Sequence, residues 1–415
     1  MSPMSRVQTR LAPLLALSLL VAACEAQEPL PQWTTTTDTL PAGTVHVVHG
    51  LPPSGGNPGF EIREELRIGS IDGSGPESFG DLKGLVVTAD GHIVVLDALA
   101  QELRVFGPDG AHTATFGGKG GGPGEFESAY GLMMGPAGRL WVPDHRNARM
   151  SVFDLTGDLI GSYPMRILSY GYVWRGNMDA QGRILEPSIT LGPPRRPILR
   201  VFDSEMSVMD SLPLPERPEV DRKNPPGAFY WEAPDGRSSG YRSVPFYPMG
   251  QQVLDPNGSV WTMASGDPSY RIVRWIPGGD TTLVLETRRP LVPVPTTVRD
   301  SVIATVRQEL LKIGTSAADQ DWSKVPEVYP AVSSMFLAEN GDLWVGIATT
   351  GDAPAQYDVY RPSGEYWGTV STSLEVWPYV PPIVRGDHIW TIVKDDLDIP
   401  YVVRGKIAPL EPDAG

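Results

Sequence analysis

Along most of this chain, apolar and polar residues alternate in short runs, and each run ends at glycine, aspartate, asparagine or proline. A period of two in runs of this length predicts half-buried β-strands, and the punctuation predicts tight turns between them. One kind of turn recurs: ADGHIVVLD, PAGRLWVPD, AQGRILEPS, PNGSVWTMA, ENGDLWVGI and GDHIWTIVK. Its glycines are Gly91, Gly138, Gly182, Gly258, Gly341 and Gly386, at successive spacings of 47, 44, 76, 83 and 45 residues. A second series follows the first: ELRVFGPDG, RMSVFDLTG, ILRVFDSEM, YRIVRWIPGG, YDVYRPSGE and YVVRGKI. Each repeat therefore reads strand, glycine turn, strand, loop, strand, turn, strand, with antiparallel neighbours throughout.

Four antiparallel strands repeated at this length predict an all-β fold, a six-bladed β-propeller spanning 59–409. The last repeat, PPIVRGDHIWTIVKDDLDIPYVVRGKI, lacks a fourth strand, whereas FEIREELRIGS (Phe60 to Ser70) is a strand with no repeat of its own. Pairing the two would close the ring and remove two exposed sheet edges.

The best-preserved repeat, FGGKGGGPGEFESAYGLMMGPAGRLWVPDHRNARMSVFDLTGDLIGSY, resembles an NHL repeat in Gly122, Gly124, Glu125, Phe126, Gly131 and Leu132. It continues to do so in Gly138, Leu140, Trp141, Val142, Asp144, Asn147, Arg149, Val152, Phe153, Asp154 and Gly157. Ala148 stands where the resemblance would place the histidine that gives the repeat its letter, and Gln101 stands there in the preceding repeat. The resemblance covers residues 70–165; as a whole the chain resembles bacterial six-bladed propeller lipoproteins, a resemblance that implies no particular activity.

GGKGGGPGEF (Gly117 to Phe126) raises the question of a phosphate loop. A Walker loop needs Ser or Thr after the lysine, but Lys119 is followed by Gly120; a dinucleotide fold needs a helix next, but a strand and turn follow. The stretch reads as the connection between one blade's outer strand and the next blade's inner strand, where glycine supplies unusual φ angles.

The N-terminus changes the picture from fold to location. Arg6 and Arg10 precede LAPLLALSLLVAA, an apolar run too short to span a bilayer, which reads as a signal peptide over residues 1–23. Val21-Ala22-Ala23-Cys24 resembles the lipobox of bacterial lipoproteins, which implies acylation of Cys24. Because Glu25 follows rather than aspartate, the resemblance implies the outer membrane, on its periplasmic or cell-surface side. Residues 24–58 are rich in Thr, Pro and Gly and read as the lipidated cysteine and a flexible tether, except for TVHVVHG, which alternates like a strand. Cys24 is the only cysteine, so no disulfide within the chain and no cysteine zinc site can form. The net charge of −15 argues against nucleic acid as a partner.

Two connections, about 214–246 and 287–330, are too long for hinges and fall on the same predicted face, here called the upper end. The first mixes aromatics with arginines, among them Trp231; the second contains TTVRDSVIATVRQELLKIG, an amphipathic helix with Asp300 in its first turn and Val298, Val302, Val306 and Leu310 on one face. The ligand-contact candidates at that end are Tyr130, Asp144, His145, Arg149, Trp174, Arg175, Glu186, Trp231 and Lys394. Asp97 and Asp144 recur at matching positions, which also suits side-chain bonds to their own turns. No catalytic pair can be named and no cofactor is expected. The first reading is therefore a lipid-anchored recognition propeller for a protein, peptide or glycan. The alternative is a lyase or hydrolase with Ca or Zn in its channel, which would need inward Asp, Asn, Glu or His ligands from several blades.

Overall fold

The computed structural model describes residues 34–50, 59–71, 73–165, 173–174, 176–215, 220–313, 320–349 and 353–410. They form an all-β fold of small antiparallel sheets with one α-helix. Two strands, β1 (Thr35–Thr39) and β2 (Val45–His49), come first, followed by β3 (Phe60–Ile68). The first four-stranded unit is β4 (Leu82–Val87), β5 (Ile93–Asp97), β6 (Glu102–Phe106) and β7 (His112–Gly117). The second is β8 (Met133–Met134), β9 (Leu140–Asp144), β10 (Arg149–Phe153) and β11 (Leu159–Pro164), and the third β12 (Asn177–Met178), β13 (Ile184–Ile189), β14 (Pro197–Phe202) and β15 (Val208–Pro213).

A hairpin, β16 (Ala228–Glu232) and β17 (Ser239–Ser243), precedes the fourth unit, β18 (Gln251–Leu254), β19 (Val260–Met263), β20 (Arg271–Trp275) and β21 (Thr281–Thr287). Helix α1 (Thr296–Ile313) precedes the fifth: β22 (Val332–Leu337), β23 (Leu343–Ile347), β24 (Ala355–Tyr360) and β25 (Tyr366–Thr372). The chain ends in β26 (Ile383–Arg385), β27 (His388–Lys394) and β28 (Pro400–Pro409). Here β3 supplies the fourth strand, antiparallel to β28 from Ile68 opposite Val402 to Phe60 opposite Pro409.

The turn glycines that mark the repeats explain why each first strand reverses where it does. Gly91, Gly138, Gly182, Gly258, Gly341 and Gly386 all have left-handed φ, between +59° and +90°. A side chain would strain the backbone there.

Each unit touches the next, and the last touches the first. The Ala129 N–H donates to Gln101 Oε1 (2.8 Å), that of Trp174 to the Tyr130 carbonyl (2.7 Å) and that of Ala180 to the Pro256 carbonyl (2.8 Å). Gln251 Nε2 donates to the Ser333 carbonyl, the Glu339 N–H to the Val384 carbonyl, and the Arg385 guanidinium to the carbonyls of Val87 and Thr88. The apolar core is divided the same way. Leu140 and Phe153 pack on Val86 and Val94, for example, and Trp390 and Val402 pack on Leu82 and Ile93. Burial thus occurs between the faces of neighbouring sheets, as period-two strands require.

Part of the expected tether is ordered. β1 pairs antiparallel with β2, and β2 runs parallel to β21, from Val45 opposite Leu283 to His49 opposite Thr287. The alternation in TVHVVHG is strand, as read; Thr35–Thr39, expected to be tether, is strand as well, because β2 offers it an edge. Cys24 lies outside the described residues.

Candidate functional site

First strands begin at the upper end, so second strands and fourth strands finish there. Both long connections leave from it, and they pack on one another. Phe229 and Val244 from the first share an apolar cluster with Val306, Leu310 and Val325 from the second, with Trp231, Phe246 and Trp322 against it. The rings of Phe229 and Trp322 are 4.8 Å apart, Arg242 pairs with Glu309 at 2.7 Å, and Lys324 Nζ donates to the Pro225 carbonyl. A hairpin and a helix therefore make one module with its own core.

The helix departs from expectation in two details. Asp300 falls beyond the first turn, and Val298 is exposed. Val306 and Leu310 are its buried residues, with Val302 and Ile303 partly buried against the same cluster.

Strand alternation fixes the two faces of the hairpin. Phe229 and Trp231 face the helix, Trp231 lying against Gly240, its cross-strand partner. Tyr230 and Tyr241, paired across the strands with ring centroids 5.6 Å apart, occupy the other face. Lys223 sits 5.8 Å over the Tyr230 ring, and Tyr230 OH donates to Glu232 Oε2. Trp231, the anticipated contact, is half-buried against the module core; the tyrosines beside it occupy the other face.

Several other anticipated residues are engaged by the fold. The Asp144 carboxylate is fully buried and accepts from the backbone N–H groups of Glu127, Ser128 and Asn147, and from Asn147 Nδ2. Asp97 holds Gly80, Asp81, Leu99 and Ala100 in the same manner. Arg149 donates to the carbonyls of Gly121, Gly122 and Glu125, and Asn147 to that of Gly120. The glycine-rich stretch therefore turns carbonyl oxygens toward a cation of its own blade. A phosphate cradle needs the opposite polarity, N–H groups turned inward. Tyr130 contributes its carbonyl to Trp174, and His145 lies half-buried in the same turn as Asp144.

Glu186 is buried, with Trp174 Nε1 donating to it at 3.1 Å and Arg200, its cross-strand neighbour, pairing with its other oxygen. Burial pushes its carboxyl up, while Arg200 and the indole pull it back. Arg175 lies outside the described residues. Glu186 and Trp231 belong to different clusters, one in the third unit and one in the module. Lys394 lies 3.9 Å over the Trp377 ring and pairs with Asp398 at 2.8 Å.

The densest polar cluster was not anticipated. Asp358, fully buried on β24, receives two hydrogen bonds from Arg289 (2.7 and 3.1 Å) and one from Thr369 (2.6 Å). Tyr360 OH meets Thr287 at 2.8 Å, and burial pushes Tyr270 and Tyr360 well above the usual tyrosine range and Tyr366 up to about 12. His49 of β2 closes the cluster. The Gly364 carbonyl can only accept, so Nε2 carries the proton, and Nδ1 accepts from Thr35. Burial lowers the His49 pKa. Sequence offers little signal for this group, whose members come from β2, β21, β24 and β25, from Tyr270 just before β20 and from Arg289 just after β21.

Among the described residues, no group of three or more His, Cys, Asp or Glu side chains is placed to hold a metal ion, and no helix is long and apolar enough to cross a membrane.

No family model matches the sequence, and no curated protein does. Solved structures similar to this one include a member of the duf4221 family from Bacteroides vulgatus, with TM-score 0.44, 8% identity, and 85% of this chain and 99% of that one covered. Virginiamycin B lyase from Staphylococcus aureus is similar with TM-score 0.37, 11% identity, and coverage of 85% and 90%. A gluconolactonase from Xanthomonas campestris is similar with TM-score 0.36, 10% identity, and coverage of 84% and 95%.

Proposed function

We propose that the chain is a closed six-bladed β-propeller, lipid-anchored at Cys24 to the bacterial outer membrane. Its upper end recognises a protein, peptide or glycan. The unit-to-unit bonds that return from β26 to β4, and the fourth strand that β3 gives to the last sheet, support the ring. The single observation that carries recognition is the module. Two connections, distant in sequence, build a shared core at one end and turn a tyrosine pair outward beside Lys223 and Glu232. Tyrosines with adjacent charge are a common composition of recognition surfaces, because the ring gives area and the hydroxyl a hydrogen bond.

The test uses purified protein on peptide and glycan arrays, beside a Tyr230→Ala, Tyr241→Ala double variant. Binding by the parent that falls at least about tenfold in the variant, the loss of roughly 1.4 kcal/mol or more, supports the reading. Equal binding by the two proteins removes the tyrosine face from it. Stoichiometric metal by mass spectrometry, with melting lowered by chelator, would replace recognition with metal-dependent chemistry.

A further inference from the structure

The strand directions locate the point at which the chain enters the folded body. β21 is a fourth strand and finishes at the upper end; β2 runs parallel to it, and β1 antiparallel to β2. Thr35, opposite His49, therefore lies at the upper end. From Cys24 to Thr34 there are ten residues, which span at most roughly 35 Å when fully extended. Reaching past the lower end would take at least the length of β21, roughly 23 Å for its seven residues, plus the loops at both ends. A lipid on Cys24 thus reaches a surface at the upper end with length to spare, and one beneath the lower end only with the intervening residues almost fully extended.

The same end carries apolar tips. Leu99, Leu191 and Leu397 stand in the loops between second and third strands of the first, third and last units, 74%, 82% and 68% exposed. Ile71, Met249 and Tyr379, each more than half exposed, lie in the connections that lead into first strands. Turns of the lower end include Asp90-Gly91, Asp109-Gly110, Asn257-Gly258 and Asn340-Gly341; the exposed large apolar residues there are Leu40 and Ile276 in turns, Val45 at the start of β2, and Ile160, Val208 and Met209 in the first residues of fourth strands, fewer of them more than half exposed than at the upper end.

We infer that the upper end is a membrane-facing surface: with Cys24 acylated, its apolar tips insert among the lipids of the membrane that holds the anchor, and the module at the same end meets its ligand at that membrane's surface. This rests on the lipid anchor proposed above and adds an orientation to it. An anchor at one edge leaves a rigid body free to tilt, and apolar contacts at the same end are the second signal that fixes it. Arg195, exposed beside Leu191, suits a headgroup phosphate, while Asp396 and Asp398 flank Leu397, so contact there is by apolar insertion rather than charge.

The lone cysteine makes the test direct, because acylation consumes its thiol. The lipidated full chain is prepared with one new thiol, Gly192→Cys or Asp396→Cys at the upper end or Ser204→Cys in a lower turn. Gly192 has open space for a side chain, and Asp396 and Ser204 are exposed. Each is labelled with an environment-sensitive fluorophore and reconstituted in phosphatidylethanolamine–phosphatidylglycerol vesicles containing a nitroxide lipid. Expected are a blue shift and loss of fluorescence at 192 and 396 that persist in high salt, no change at 204, and a weakened effect at 192 after Leu191→Ser. Quenching alike at all three positions, or at none, overturns the orientation while the anchor stands. Quenching at 192 and 396 that needs no nitroxide lipid, growing with protein density, assigns the tips to a second copy and overturns it too. A mass spectrum showing unmodified Cys24 overturns the inference together with the anchor.

Discussion

At the residue scale, the most consequential group is the buried one around Asp358. A carboxylate in an apolar interior is costly unless its oxygens are hydrogen-bonded, and Arg289 and Thr369 supply those bonds. Burial still pushes the Asp358 carboxyl up, with Arg289 pulling the other way. His49 ties the N-terminal strand to this group as a neutral ring. Its pKa is lowered by burial from 6.5, so in acid the unfolded chain takes up a proton that the folded one refuses. The stabilisation is fully present above the unfolded value and declines as pH falls through it toward the lower folded value. Thermal melts at about pH 7.5 and about pH 5 should therefore differ less in His49→Gln than in the parent, after subtracting each protein's value at neutral pH. Equal pH slopes would mean that His49 is already charged in the folded protein.

At the element scale, what the sequence discloses depends on whether a position answers to its neighbours or to distant strands. The turn glycines were legible because a local backbone angle demands them, and all six take it. Asp97 and Asp144 were legible as a recurring pair because each serves its own turn. The glycine-rich connection was legible as a connection, but not its arrangement around Arg149, which depends on how a strand start faces a loop behind it in sequence. First strands are shortest in the second and third units, where pairing reduces to Met133–Met134 and Asn177–Met178.

The two long connections were each placed at one end, yet their shared core escaped notice, since Phe229 and Trp322 carry no mark of partnership. That core makes a prediction. Phe229 is fully buried, so Phe229→Ala should destabilise the module by about 3–5 kcal/mol. Limited proteolysis should then cut within residues 220–245 and 296–325 well before the sheets unfold, with the main melting transition nearly unmoved. A lowered main transition would show that the module and the sheets unfold as one.

At the scale of the whole molecule, β3 is the element on which most depends. It covers the outer edge of β28 and places Ile62 and Ile68 in the cores on either side of the last unit. A chain lacking residues 59–70 leaves that edge bare, and bare edges pair with other chains. Such a variant should elute as larger oligomers than the parent or aggregate, while one beginning at residue 59, without β1 and β2, should keep the parent's oligomeric state with a modestly lower melting temperature. Gel filtration with light scattering distinguishes the two, and a cooperatively melting variant without β3 that keeps the parent's oligomeric state would disprove its closing role.

The pairing of β3 with β28 also sets a schedule. Phe60–Ile68 is made well before Pro400–Pro409. At ordinary synthesis rates the first waits on the order of half a minute for the second. During that interval an adhesive strand has no proper mate, so a nascent chain of this kind profits from being escorted, and a message truncated ahead of Pro400 yields a product that never seals.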